Sequence, residues 1–210
     1  MAPAPPDTDE LLDRTAQGDR AARDQLLARH QERLRQAVSY RLDRRLAARV
    51  DPSDVVQEVL AEAARKLPEY LRQRPLPFYP WLRQMALQRL AELHRRHVRA
   101  QRRSVRREEP GLLPLPEGPA EELADRLAAS ASSPSQRLLR SEARQRVRAA
   151  LKLLAPADRE VLELRHLEQL SAAETAAVLG ISTAAAQSRH LRAVQRLRAL
   201  LEGPAEEERS

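Results

Sequence analysis

The stretch from 104 to 136 sets the strongest limit on how this chain can fold. It holds five of the fifteen prolines (Pro110, Pro114, Pro116, Pro119, Pro134), two of the five glycines and the run Ser130-Ala131-Ser132-Ser133. Proline removes a helical N–H donor and clashes with the preceding turn, so no long helix crosses this segment. The remainder of the 210 residues is therefore expected to fold as two pieces, 8–103 and 137–202. Charge follows the same division, with +7 over 1–103, −3 over 104–136 and +3 over 137–210. An acidic, flexible linker of this length separates its ends by roughly 30 Å on average and by about 110 Å when stretched. Two domains so joined can reach separate sites on one large partner. Within the linker one short helical turn is expected around 121–129.

Composition says what the two pieces are. Ala, Leu, Arg, Glu and Gln dominate while glycine, β-branched and aromatic residues are scarce, so both are read as small all-α domains with aliphatic cores. The absence of cysteine excludes a disulfide framework, Cys-ligated zinc and a thiol nucleophile. The start of the chain has no signal-peptide pattern and no apolar run reaches the ~18 residues a bilayer requires, so a cytoplasmic protein without a membrane partner is expected. No catalytic residue is expected either, because the serines cluster in the linker and at helix caps and no Gly-x-Ser-x-Gly turn occurs. His94 and His97 stand three apart but lack a neighbouring carboxylate set and are surrounded by arginines, so no metal and no cofactor is expected. All but Lys66 and Lys152 of the 37 basic residues are arginine, which fits bidentate phosphate contacts or merely a GC-rich genome.

In the first piece a short helix around Asp9–Thr15 precedes a long one with Leu27, Leu34, Val38 and Leu42 at helical spacing. Asp51-Pro52-Ser53-Asp54 then supplies an N-cap acceptor, a first-turn proline and an acid at the positive helix end. Val55, Val56, Val59, Leu60, Ala63 and Leu67 form the buried side of that helix, and Pro68 is predicted to close it. Its opposite side reads Asp54, Gln57, Glu58, Ala61, Glu62, Arg65, a stripe rich in acids within a basic domain. This stripe fits a docking face, a merely solvated face or a carboxylate set for magnesium. A proline-bracketed loop, Leu76-Pro77-Phe78-Tyr79-Pro80-Trp81, leads into a helix predicted over 81–103. Nine arginines against the single acid Glu92 lie between Arg83 and Arg107. So basic a surface repels itself unless a polyanion covers it, and nucleic acid is the obvious polyanion. Phe78, Tyr79 and Trp81 beside it fit either a small aromatic core or a platform for unpaired bases.

The second piece is predicted to hold helices over 137–154 and 157–168, followed by Ser171-Ala172-Ala173-Glu174, a capping box, and Gly180, a left-handed stop. Ser182 then caps a last helix running to about Leu201. Helix, short turn with glycine, helix is the helix-turn-helix pattern, and its second helix carries Arg189, Arg192, Arg196 and Arg198. His190 falls on that helix's inner face with Ala186, Ala193 and Leu197, where a hydrogen-bonded core histidine is expected.

In this order the motifs resemble the bacterial sigma factors of RNA polymerase, in the two-domain extracytoplasmic-function (ECF) form of the sigma-70 family. Asp51 to Leu60 looks like the docking motif of region 2. The resemblance implies that Asp54, Gln57, Glu58 and Glu62 meet the clamp helices of the polymerase's large subunit. Phe78 to Leu82 followed by Arg95-Arg96 looks like the part of region 2 that melts and reads the minus-ten element as single strand, a role implied for Phe78, Tyr79, Trp81, Gln88, Arg89, Glu92, Arg95, Arg96 and Arg99. Leu154 to Arg165 and Leu170 to Ser182 resemble region 4, a helix-turn-helix for the minus-thirty-five element. Ser182, Thr183, Gln187, Ser188, Arg189 and Arg192 inherit that contact. Implied partners are core RNA polymerase, through its clamp helices and flap, promoter DNA, and an anti-sigma factor as a candidate, with no obligate homo-oligomer. The chain departs from the family pattern at Gln88 and Glu92, where Asn and Asp are usual, and at Thr175, Ala186, Gln187 and His190, where Ile, Val, Lys and Leu are. Two rival readings stand beside this one: a helix-turn-helix regulator that binds duplex DNA without polymerase, and a magnesium-dependent nuclease using Asp54, Glu58 and Glu62.

Overall fold

The computed structural model describes residues 7–42, 49–104, 123–124, 126–127 and 137–202, and the chain divides into two compact units, 1–116 and 117–210. Among the described residues there are eight α-helices and no strand. Unit 1 holds α1 (Thr8–Ala16), α2 (Arg20–Arg41), α3 (Pro52–Gln73) and α4 (Phe78–Ser104). Unit 2 holds α5 (Arg137–Leu153), α6 (Pro156–Leu162), a π-helical segment (Glu163–Leu167), α7 (Ala172–Leu179) and α8 (Thr183–Glu202).

Each of the first three helices starts on an aspartate whose carboxylate accepts a free first-turn amide, Asp7 from Glu10, Asp19 from Ala22 and Asp51 from Ser53. Such caps contribute about 1 kcal/mol apiece by satisfying a donor the helix itself cannot. α2 packs against α1, α3 and α4, and α3 against α4. The buried side of α2 is Ala22, Leu26, His30, Leu34, Ala37 and Val38. Leu26, fully enclosed, takes the core position expected of Leu27, because the inward face advances by four residues from Ala22 through Leu26 to His30. On α3 the expected set Val55, Val56, Val59, Leu60, Ala63 and Leu67 is buried, with Tyr70 added.

That addition explains a second difference. α3 does not stop at Pro68 but runs on to Gln73 and ends at Arg74 in a left-handed conformation (φ 39°), whose N–H returns to the Tyr70 carbonyl. Pro68 sits on the exposed side, so its ring meets solvent and the helix loses one bond, while continuing buries the Tyr70 ring at 4% exposure. α4 likewise starts at Phe78 rather than Trp81, which places Pro80 in the first turn, where a missing N–H costs nothing.

In unit 2, α8 lies against α5, α6 and α7. Its inner face is Ala186, Ala193 and Leu197, and the two alanines bring the helices close. The single helix expected over 157–168 is instead a short α-helix that widens into the π segment. Leu170 N–H returns to the Leu164 carbonyl at 2.9 Å and Gln169 takes φ 54°, so the chain reverses ahead of α7. The linker lies outside the described residues except for Ser104, Leu123, Ala124, Arg126 and Leu127. The four residues from the predicted 121–129 turn are helical, and Leu123 and Ala124 are fully buried. Over these residues the chain is docked rather than free.

The capping box forms in full: Ser171 Oγ accepts from Glu174 N–H at 3.1 Å and Glu174 accepts from Ser171 N–H at 2.7 Å. Replacing Ser171 with Ala is expected to lower the stability of unit 2 by about 1 kcal/mol. Urea unfolding followed by circular dichroism reads that loss, and the fluorescence of Trp81, the one tryptophan and a residue of unit 1, should hold its own midpoint.

Candidate functional site

Two surfaces of unit 1 carry the expected residues. Along α3, Asp54, Gln57 and Glu58 are exposed and Glu62 is partly so. The Lys66 ammonium, 2.6 Å from Glu62, hydrogen-bonds the carboxylate and holds it below its ordinary value. Along α4, Gln88, Glu92, Arg95 and Arg96 are exposed on one face, and Arg99 follows on the same helix, beyond the residues whose side chains are described.

The two surfaces meet through an ion pair. Arg89 of α4 reaches Glu58 of α3 at 2.5 Å and its own neighbour Glu92 at 3.3 Å, with the Arg89 side chain only 22% exposed. Together with Val59, Ala61, Glu62 and Arg65 these three residues line a groove of about 600 Å³. The pairing spans 31 positions of sequence and no local pattern announces it. It also bears on the nuclease reading, because Glu58 is neutralised by Arg89 and Glu62 by Lys66. What remains is a patchwork of paired charges rather than a carboxylate cage for a cation.

The three aromatic residues divide between the two readings open to them, aromatic core and base platform. Phe78 and Tyr79 are 3% and 1% exposed, so neither ring offers a face to a base in this conformation. Phe78 packs 5.4 Å from His30 and 5.4 Å from Tyr70, between centroids. Tyr79 lies beneath the Arg33 guanidinium at 3.6 Å. Each ring buries more apolar surface than an aliphatic side chain does, and the core takes these two. Trp81, at the edge of the cluster and 4.5 Å from Tyr70, is only half-buried. Tyr70 and His30, overlooked in the sequence, complete the cluster; the Tyr70 hydroxyl donates to the Leu76 carbonyl at 2.9 Å, and burial pushes its pKa up to about 12.

On unit 2, Gly180 in a left-handed conformation (φ 64°) closes α7, and Ser182 Oγ accepts from Ala185 N–H at 3.2 Å to start α8. Ser182, Thr183, Gln187, Ser188 and Arg192 are exposed on α8 and Arg189 is half-buried. Of the four arginines this helix carries, two have carboxylate partners. Arg196 binds the buried Asp158 of α6, and Arg198 binds Glu202 at 2.6 Å. Leu191, 58% exposed beside Arg192, joins this face without having been singled out by the sequence.

His190 is a partnered histidine: its Nε2 lies 3.0 Å from Nε2 of His166 on the π segment. Burial lowers both imidazoles below their usual 6.5, helped at His166 by the Arg165 charge and at His190 by His166 and then Arg165.

Residues 144–197 match the family described as Sigma-70, region 4, a class of DNA-binding module to which the helix-turn-helix of unit 2 corresponds. The chain is 32% identical over 204 residues to the RNA polymerase sigma factor CnrH of Cupriavidus metallidurans, covering 96% of this chain and 98% of that one. It is 34% identical over 145 residues to the ECF RNA polymerase sigma factor SigD of Mycobacterium tuberculosis, covering 69% of this chain and 60% of SigD. A solved structure of CnrH in complex with the cytosolic domain of CnrY is 28% identical and aligns with a TM-score of 0.49 over 93% of this chain and 98% of that chain. The chain belongs to the ECF sigma factors of the sigma-70 family.

The lowered imidazoles make unit 2 sensitive to acid. The unfolded chain takes up protons near 6.5 before the folded one does, so the stability these groups contribute is present above that pH and is lost as pH falls through 6.5 toward the lower folded values. Urea unfolding at about pH 7.5 and 5.5 is expected to show this loss, and His190→Leu is expected to reduce it.

Proposed function

We propose that this chain binds core RNA polymerase and directs promoter-specific transcription initiation, as a specificity subunit with no catalytic step of its own. The observation that carries this reading is the full-length match to a sigma factor together with two differently charged surfaces on one chain. Unit 1 offers an acidic face on α3 beside a basic helix, and unit 2 offers a capped helix-turn-helix. A polymerase subunit needs both, since protein docking calls for charge complementarity and DNA binding for cations near phosphates.

In this proposal 8–103 acts as region 2, 137–202 as region 4, and the intervening stretch as the connection. Asp54, Gln57, Glu58 and Glu62 dock on the clamp helices. Trp81, Gln88, Arg89, Glu92, Arg95, Arg96 and Arg99 meet the minus-ten element as single strand. Phe78, 5.7 Å from Trp81, acts by supporting that ring from the core rather than by stacking on bases itself, and Tyr79 packs into the same core against His30. Ser182, Thr183, Gln187, Ser188, Arg189 and Arg192 meet the minus-thirty-five duplex. No helix among the described residues is long and apolar enough to cross a membrane, and a cytoplasmic location belongs to the same proposal, as does an anti-sigma partner.

The deciding experiment combines the purified protein with core RNA polymerase and fragmented host DNA and sequences the transcript 5′ ends. Discrete starts absent with core alone establish the reading. No new starts from a core that responds to a housekeeping sigma factor, together with stable duplex binding in the absence of polymerase, would establish the regulator instead. Gln57→Ala with Glu58→Arg is expected to weaken polymerase binding while leaving the helical signal unchanged; equal affinity would remove α3 from the interface. Arg192→Ala is expected to lower the salt slope of duplex binding by about one phosphate. An unaltered slope would take Arg192 off the DNA backbone.

A further inference from the structure

The four described residues between the two units' helices are tied down. Leu123 and Ala124 are at 0% exposure, and Arg126 Nη1 donates to the main-chain carbonyls of His166 at 3.1 Å and Leu167 at 3.4 Å. They cluster with the helix-turn-helix unit. What Arg126 grips is the least regular part of that unit, the end of the π segment. Carbonyls at the end of a helical run lack the amides that would continue it. Here the next amides are spent elsewhere, Leu170 N–H on the Leu164 carbonyl and Ser171 N–H on the Glu174 carboxylate. A guanidinium is well suited to fill the gap, because each terminal nitrogen carries two N–H donors and Nη1 here reaches both carbonyls.

From that turn the connection continues to α8. His166, whose carbonyl Arg126 holds, places its Nε2 3.0 Å from Nε2 of His190, with ring centroids 5.1 Å apart. His190 shares a turn of α8 with Arg189 and Arg192. The neighbouring inner-face residues are Ala186 and Ala193, which have little surface with which to fix the helix about its own axis. A polar tie at His190 therefore has a large share in how α8 is rotated.

We infer that Arg126 is a positioning residue for promoter reading: Leu123, Ala124, Arg126 and Leu127 form a clip that holds the π-helical turn, and through His166 and His190 the clip sets which face of α8 is presented to DNA. This rests on the reading of α8 as the helix that meets the minus-thirty-five element. It also moves part of the connecting segment from tether to DNA-binding unit.

The test uses the full chain as wild type, Arg126→Ala, Arg126→Lys and Leu123→Ala, the last loosening the clip from its apolar side without touching the guanidinium. Imidazole NMR signals of His190, which Arg126 does not itself contact through the bonds above, are read first. Binding is then measured to a duplex selected by the wild-type chain from a random-sequence library. Arg126→Ala and Leu123→Ala are expected to shift the His190 signals and weaken duplex binding about fivefold, Leu123→Ala with a lowered melting midpoint and binding read well below it, and Arg126→Lys is expected to recover part of the loss seen with Arg126→Ala. Unmoved His190 signals, or shifted signals with undiminished binding, would overturn the inference. Should the wild-type chain select no duplex, the promoter reading itself fails, and the His190 signals still decide whether the clip acts on α8.

Discussion

The placement of α3 against α4 rests on a knot of rings. Tyr70 near the end of α3, Phe78 and Trp81 at the start of α4 and His30 of α2 pack within 4.5 to 5.7 Å of one another along their contacts, across the turn at 74–77. Both candidate surfaces of unit 1 lie on these two helices, so the distance between them follows from this packing together with the Glu58–Arg89 pair across it. Aromatic burial is the largest apolar contribution available to a domain otherwise built from Leu, Val and Ala. That is why the helix carries on through Pro68, giving up one hydrogen bond to bring Tyr70 into contact.

Unit 2 meets the same need with polar ties. Its last helix turns alanines inward, which permits close approach but little interlocking. Asp158 to Arg196, His166 to His190, and Arg146 to the Leu201 carbonyl at 2.8 Å hold α8 at three points along its length. Directional bonds suit a helix whose outward residues must face a partner at a fixed angle.

Much of this was legible beforehand. The Asp51 cap, the capping box, Gly180 and the buried stripe of α3 are local patterns in which a few neighbouring residues determine the outcome, and each formed where it was read. The differences arise where distant residues compete. Pro68 favours a stop, and Tyr70 overrules it through rings that belong to other helices. Phe78 and Tyr79 have the chemistry to stack on bases, but the core claimed them. Arg196 looks like a phosphate ligand in a helical projection, and only the fold reveals its carboxylate partner, Asp158, 38 positions away. The docking of Leu123 and Ala124 was hidden by the prolines around them, since breakers mark where a helix ends and say nothing of where a short apolar segment binds.

The ion pair between Glu58 and Arg89 has a consequence for how this protein's residues can be assigned at all. Each group stabilises the other's charge, so removing one leaves its partner altered on the opposite surface. A single substitution at Glu58 perturbs a cation on α4, and one at Arg89 frees two acids, Glu58 and Glu92. Losses in separate assays for the two surfaces will therefore sum to more than the whole. Only a double-mutant cycle, in which the paired change is compared with both singles, separates what each side chain gives to a partner from what the two give one another.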